Sequence, residues 1–125
     1  MPIDLTELQL AIIRVLWARG EAAVSEVHEA ALPERGLALT TVATLLTRLE
    51  KAGLVARRPS GRHYVYRALV SEEEVRRSMV SGLADRLFHG DVTALVSHLL
   101  AEGDIAPGDL DRVRRLIEQK QRHKE

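Results

Sequence analysis

The chain has 125 residues, no cysteine, and 18 basic and 18 acidic side chains, so its formal net charge is zero. This length suits about one domain and leaves little room for an active-site cleft between domains. Without cysteine there is no disulfide, thiolate metal site or cysteine nucleophile, as is usual in a reducing compartment. No apolar run approaches the roughly 20 residues of a membrane span, and the N-terminus lacks a secretory signal pattern. We therefore expect a cytoplasmic protein.

The charges are unevenly distributed along the chain. Between residues 36 and 67 a single acid, Glu50, stands against the basic residues Arg48, Lys51, Arg57, Arg58, Arg62 and Arg67. Such a cluster can bind the phosphates of DNA whatever the net charge of the protein. A solvated basic face is the alternative interpretation.

Two amphipathic helices are predicted at the N-terminus. Thr6 and Gln9 have the spacing of a capping box and Gly20 is a stop signal, which together bound a first helix. Its apolar residues at helical spacing are Leu8, Ile12, Val15 and Leu16. A short second helix is predicted over 24–31, with Val24, Val27 and Ala31 facing inward and Pro33 and Gly36 after its end.

A third helix is predicted over 41–52, with Thr40 as its N-cap and Gly53 as its C-terminal stop. One apolar stripe is formed by Val42, Leu45, Leu46 and Leu49. At about 100° per residue, the opposite side of this helix carries Thr41, Thr44, Thr47, Arg48 and Lys51.

Threonine is a poor choice for an exposed helix position, where it costs a few tenths of a kcal/mol, roughly, relative to alanine. DNA contact explains its presence, because threonine hydrogen-bonds to phosphates or base edges and its methyl packs on thymine methyls. An arginine on the same face can donate two hydrogen bonds to guanine. The alternative is that Thr40 only caps the helix, Thr44 and Thr47 bond back to helix carbonyls, and Arg48 is solvated.

A β-hairpin is predicted after the third helix, with strands at 54–56 and 64–67 and a turn at 58–61. Its tip is basic and includes Arg62 and His63. Tyr64 and Tyr66 alternate with Val65 in the returning strand, and we expect at least one tyrosine to pack on the helices. Three helices followed by a hairpin predict a winged helix, whose third helix enters the major groove while the hairpin tip lies along phosphates or in the minor groove.

Three segments, LTELQLAIIRVLW (5–17), TTVATLLTRLEKAGLV (40–55) and GRHYVYRALVSEEE (61–74), resemble the penicillinase and methicillin-resistance repressors of the BlaI/MecI type. The resemblance implies a mostly helical winged-helix protein with a small β-hairpin and a helical dimerisation region. It implies a homodimer that binds inverted-repeat operators and represses resistance or stress genes such as β-lactamase. Matching positions would place Thr40, Thr41, Thr44, Thr47 and Arg48 at the DNA, with Arg62 on the wing. From the exposed helix face and the hairpin tip, we add Lys51 and His63 as candidate DNA-binding residues.

The last third of the chain is then expected to form the dimer. Three helices are predicted here, beginning at the capping residues Ser71 and Asp91 and at Pro107. Further apolar residues of the first of them are Val75, Met79 and Phe88. The expected dimerisation residues are Leu83, Leu87, Leu95, Leu99, Leu100, Val113, Leu116 and Ile117. We therefore divide the chain into a DNA-binding domain at 1–70 and a dimerisation region at 71–125. Folding of these helices back onto their own winged domain is the alternative.

The sequence departs from this family at two places. In the methicillin-type repressors, induction follows cleavage of an Asn-Phe bond, through a membrane receptor-protease, and the corresponding bond here is His98–Leu99. The copper-responsive branch carries C-terminal cysteines, and their absence here excludes copper sensing through thiolates.

No catalysis or cofactor is expected. The histidines, His28, His63, His89, His98 and His123, lack the spacing of a helical zinc pair, and no phosphate-binding glycine loop occurs. Two rival functions remain open. One is a winged-helix regulator that senses a small molecule in a cavity beside the dimer helices. The other is a winged helix that makes only protein contacts.

Overall fold

The computed structural model describes residues 2–31, 36–102 and 105–124. In chain order they form α1 (Glu7–Arg19), β1 (Ala22–Ala23), α2 (Val24–Ala31), α3 (Leu39–Lys51), β2 (Val55–Ser60), β3 (His63–Ala68), α4 (Glu72–Phe88), α5 (Val92–Ala101) and α6 (Pro107–Lys124). The strands make one antiparallel sheet in the order β1-β3-β2. The predicted class, mostly helical with a small β-hairpin, is confirmed. The chain divides into two compact units, Met1–Gly82 and Leu83–Glu125.

The predicted start and end of α1 are confirmed. The Thr6 hydroxyl accepts from the Gln9 backbone N–H at 3.2 Å, and the Gln9 side chain accepts from the Thr6 N–H at 2.9 Å. Both bonds satisfy helix-end donors that would otherwise lack a partner. Gly20 ends the helix with φ +83°, a backbone conformation that glycine adopts without a Cβ penalty.

The second helix has the predicted bounds, but the third begins earlier than predicted. Ala38 is its N-cap, with no side-chain capping bond, and its carbonyl accepts from the backbone N–H groups of Thr41 and Val42. The prediction that Thr40 is the N-cap of α3 is therefore wrong. Thr40 lies inside the first turn, and no side chain accepts a hydrogen bond from the backbone at the start of the helix. Gly53 follows the end of α3 with φ +79°. Pro33, the predicted stop of α2, lies outside the described residues.

The hairpin is longer than predicted. Its strands pair from Val55 opposite Ala68 to Ser60 opposite His63, so the predicted turn at 58–61 is wrong. The turn consists of Gly61 and Arg62, with φ +62° at the glycine, as in two-residue turns that begin with glycine. Pro59 is accommodated because β2 is an edge strand. The two-residue strand β1, which pairs with β3, has no sequence pattern long enough to predict it.

One hydrophobic core lies under the three helices and the sheet of the first unit. Its largest fully buried side chains are Ile12, Ile13, Leu16, Val27, Val42, Leu46, Leu49 and Val55. Tyr66 joins them at 5% exposure, whereas Tyr64 near the end of the hairpin is 46% exposed. The expectation that at least one tyrosine packs on the helices is confirmed.

The first unit continues past the expected boundary at residue 70. Val75 of α4 is 2% exposed in the core and Met79 packs against it, so these two residues of the expected dimerisation region belong to the winged-helix core. The Trp17 indole N–H donates to the Val70 carbonyl at 2.8 Å, and the Ile3 N–H donates to the Ser78 hydroxyl at 2.6 Å. These bonds and the apolar contacts fix the first half of α4 to the winged-helix core.

The second unit contains the end of α4 together with α5 and α6. Asp91 caps α5 by accepting from the Ala94 N–H at 3.0 Å, and α6 begins at Pro107, both as predicted. Gly103, the predicted end of α5, lies outside the described residues. Among the residues described in this unit, Ala84 is the one buried apolar side chain. No helix in the described ranges is long and apolar enough to span a membrane.

Candidate nucleic-acid interface

The outward face of α3 is a polar surface supported by a rigid apolar base. Val42, Leu46 and Leu49 are at most 1% exposed and anchor the helix, while Leu45 packs at the edge of the core. All six predicted DNA-contact residues of this helix are exposed, namely Thr40, Thr41, Thr44, Thr47, Arg48 and Lys51. The inner stripe fixes the rotation of α3, so this polar surface must face solvent.

The four threonines of this face are in two different states. The Thr44 hydroxyl donates to the Thr40 carbonyl at 3.0 Å, and the Thr47 hydroxyl donates to the Ala43 carbonyl at 3.0 Å. The back-bonding named as the alternative is therefore present at these two positions. The hydroxyls of Thr40 and Thr41 make no hydrogen bond within the described ranges.

Three cations of α3 and of the hairpin turn have no carboxylate partner among the residues that the structure describes. Arg48 and Lys51 lie in the last turns of α3, and Arg62 lies in the turn of the hairpin. Because no internal ion pair holds these side chains, each is available to an external anion. They are three of the positions that the sequence predicted to bind DNA.

Arg57 instead connects the hairpin to α3. It pairs with Tyr66 across the strands, and Tyr66 is buried, so Arg57 projects from the face of the sheet that packs on the helices. Its Nε lies 3.3 Å from a Glu50 carboxylate oxygen, and its guanidinium carbon lies 4.4 Å from the ring centroid of Tyr64. A salt bridge and a cation–π contact thus fix the wing relative to the C-terminal end of α3.

Arg58 projects from the other face of the hairpin and connects it to the residue before β1. Its Nε and Nη2 donate to the two oxygens of Glu21 at 2.6 and 2.8 Å. This bidentate hydrogen bonding lowers the pKa of Glu21, assisted by the charges of Arg58 and Arg67, and raises the pKa of Arg58. Both partners are charged at neutral pH, so the pair links β2 to the residue before β1.

The basic cluster between residues 36 and 67 therefore has two roles. Arg57 and Arg58 form ion pairs within the protein and the charge of Arg67 acts on Glu21, whereas Arg48, Lys51 and Arg62 face outward without partners in the described ranges. Sequence reasoning missed this division. Strand alternation puts Arg57 and Arg58 on opposite faces, but nothing local indicates Glu21, which is 37 residues away.

A groove of about 320 Å³ separates the wing from the N-terminal ends of α2 and α3. It is lined by Ala23, Val24, Ser25, Leu39, Arg62, His63, Tyr64 and Tyr66. His63 is exposed at the first position of β3, opposite Ser60. The groove brings the predicted wing residues Arg62 and His63 close to the beginning of α3.

A second cavity, of about 200 Å³, lies between α1 and the first half of α4. Leu10, Trp17, Val75, Met79 and Val80 supply its apolar lining, with charged residues at its edge. Ligand pockets usually measure about 300–1,000 Å³. The volume of this cavity lies below that range. The described residues also contain no group of histidines and acids that could hold a metal ion.

The first two helices are anchored in the apolar core, the third has a polar outward face, and the hairpin lies beside it. This arrangement defines a winged-helix DNA-binding domain. Comparison with known proteins gives the family. The family model described as penicillinase repressor matches residues 5–119. The chain therefore belongs to the penicillinase repressor family.

Individual relatives match over most of their length. The chain is 34% identical to the transcriptional regulator BlaI of Mycobacterium tuberculosis over 115 residues, which is 90% of this chain and 82% of that protein. It is 20% identical to the methicillin resistance regulatory protein MecI of Mammaliicoccus sciuri over 117 residues, 94% of this chain and 95% of that protein.

A solved structure supports the fold. Bacillus licheniformis BlaI, in its monomeric form with the blaP half-operator, superposes with a TM-score of 0.51 at 23% identity. The match covers 59% of this chain and 90% of that one. At this identity the similarity shows that the fold is shared.

Proposed function

We propose that the protein is a homodimeric transcriptional repressor that binds inverted-repeat operators and controls resistance or stress genes, β-lactamase genes among them. One observation carries this proposal. The outward face of α3 and the tip of the wing present Arg48, Lys51 and Arg62 without carboxylate partners in the described ranges, next to exposed threonines. Arginine and threonine bind base edges and phosphates in the major groove, and a basic wing tip binds the flanking backbone.

The second unit supports the homodimer. Its leucines and isoleucine remain accessible to solvent, with Leu87, Leu116 and Ile117 at 64%, 63% and 52% exposure. Leu83, Leu99 and Leu100 are 37–47% exposed, and Leu95 and Val113 are half-buried. Three helices that bury so few apolar side chains among themselves are only marginally stable in water. We therefore expect a second copy of the chain to cover their apolar faces. A dimer also doubles the bases read by one α3.

Release from DNA through a membrane receptor-protease is the family route that we propose for this chain. The candidate bond, His98–Leu99, lies inside α5, and the His98 ring packs against Phe88 with the ring centroids 5.9 Å apart. Both residues are exposed, but proteolysis requires the backbone to leave the helix. Cleavage at this bond therefore depends on local unwinding of α5.

Salt dependence of DNA affinity tests the proposal. With three free cations per protomer on phosphates, log K should fall against log [salt] with a slope of about −5 for the dimer, compared with about −9 if Arg57 and Arg58 also bound phosphate. Fluorescence anisotropy with a labelled duplex, repeated over a series of salt concentrations, gives this slope. A winged helix used only for protein contacts would show no salt-sensitive DNA affinity.

Two matched variants sharpen this measurement. Arg62→Ala should flatten the slope by about one unit for each half-site, because it removes one phosphate contact. Arg58→Ala removes the same charge from the same hairpin but should leave the slope unchanged, since Arg58 is paired with Glu21. Equal changes in slope for both variants would contradict the assignment of Arg62 to the phosphates.

A further inference from the structure

We infer that Thr44 and Thr47 recognise thymine methyl groups in the operator, whereas Thr40 and Thr41 act through their hydroxyls. This inference rests on the proposed function and assigns a chemistry to each threonine of α3. It follows from the hydrogen bonds within the helix. The Thr44 and Thr47 hydroxyls donate to the carbonyls of Thr40 and Ala43, both at 3.0 Å.

A threonine hydroxyl has one proton to donate. At Thr44 and Thr47 the helix already uses that proton, so these side chains donate nothing to phosphate oxygens, to guanine N7 or O6, or to thymine O4. They retain lone pairs that can accept a hydrogen bond. The chemistry left to them on the DNA side is apolar contact, together with acceptance from a base amino group.

The same bonds restrict the position of the methyl groups. Hydroxyl, methyl and hydrogen share three staggered positions on the threonine Cβ. When the hydroxyl is held against a carbonyl one turn earlier, the methyl takes one of the other two positions and has no hydrogen-bonding role in the helix. Thr44 and Thr47 are both exposed, so α3 presents two methyl groups on its outward face.

The position of these two residues fits base reading. At about 100° per residue, Thr44 and Thr47 lie about 60° apart on the helix surface, on the side away from the buried stripe of Val42, Leu46 and Leu49, with Thr40 and Lys51 between them. Side chains on this side of α3 face the major groove in the proposed complex. Of the major-groove base edges, thymine alone carries a methyl group.

Thr40 and Thr41 complete the assignment. Both are exposed in the first turn of α3, and neither hydroxyl has a partner within the described ranges. They can donate to phosphate oxygens or base acceptors, and the N-terminal end of a helix favours nearby phosphate. One helix therefore carries two threonines that act as hydrogen-bond donors and two that act as small apolar groups.

Isosteric variants test the inference on the duplex that the full chain enriches most strongly from a randomised pool. Thr44→Val and Thr47→Val keep the methyl and should retain affinity within about twofold, whereas Thr44→Ser and Thr47→Ser remove it and should lose about fourfold for each half-site. Thr41→Val is the matched control. The same exchange removes a free hydroxyl there, and it should lose about twofold to tenfold.

Changing single thymines of that duplex to deoxyuridine removes only the base methyl. Wild type should lose about fourfold at a contacted thymine, and the corresponding serine variant should lose nothing further, because its methyl partner is already absent. The inference is overturned if the valine variants at 44 and 47 lose affinity while the serine variants and every deoxyuridine position do not. If no duplex is enriched, the proposed function itself fails, and this inference fails with it.

Discussion

Arg48→Ala is expected to weaken binding to the inverted-repeat operator by about 1–3 kcal/mol for each half-site, with the fold unchanged. Arg48 is exposed on the outward face of α3 and has no ion-pair partner in the described ranges, so its guanidinium is free to fork onto guanine or to bind phosphate. Its removal takes nothing from the core, which is formed by the opposite side of the helix. Electrophoretic mobility titration of wild type and variant on the same duplex gives the difference.

Arg77→Ala is the matched control for this substitution. Arg77 is an exposed helical arginine of α4 whose guanidinium lies 3.0 Å from Glu73, so it is paired within its own helix. Such exposed pairs contribute about 0–1 kcal/mol, and this variant should bind the operator like wild type. Equal affinity of Arg48→Ala and wild type would remove Arg48 from the DNA interface.

Leu99→Asp is expected to convert the protein from a dimer to monomers. Leu99 lies on α5 at 38% exposure, on a unit whose described residues bury little apolar surface. Placing a carboxylate in an apolar interface costs several kcal/mol, which is enough to separate two protomers. Sedimentation velocity measures the change, and affinity for the full inverted repeat should fall by about 10²–10⁴ once two linked half-sites no longer bind together.

Ser97→Asp tests whether an added carboxylate anywhere on α5 would dissociate the dimer. Ser97 is a polar, exposed residue of the same helix, and an added carboxylate there should leave the dimer intact. Circular dichroism of both variants establishes that α5 is still formed. A Leu99→Asp protein that sediments as a dimer would exclude this side of α5 from the interface.

The sequence predicted most of the helices because their signals are local. The capping box of Thr6 and Gln9, the stop at Gly20 and the apolar stripe of α3 all lie within a few residues of the structure they specify. The start of α3 was predicted two residues late, because Thr40 is the better capping residue by type. The Ala38 carbonyl nevertheless accepts the first helical N–H groups.

The wing was harder to predict than the helices. Its outer half is exposed on both strands, so the burial alternation that marks a strand stops before the strand ends. The roles of the basic residues depend on distant partners. Arg57 meets Glu50 of the preceding helix and Arg58 meets Glu21, and only the folded hairpin brings those carboxylates within reach. A count of basic residues therefore overstates the charge available to DNA.

The boundary between the two units also depends on tertiary packing. The periodicity of α4 is continuous, and it does not show that Val75 and Met79 serve the winged-helix core while Leu83 and Leu87 stay accessible in the second unit. A single helix thus contributes to two different surfaces. Sequence periodicity identifies an apolar side chain but not the partner that will cover it.

Hydroxyl-radical footprinting of the full chain on its enriched duplex tests most directly whether α3 reads DNA in a dimer. The proposed function predicts two protected half-sites related by two-fold symmetry, with centres separated by one helical turn of about 10 base pairs or a multiple of it. The Arg48→Ala variant should weaken protection at both half-sites together. Protection of one half-site alone, or no protection at concentrations that saturate binding, would contradict a dimer that reads DNA through the outward face of α3.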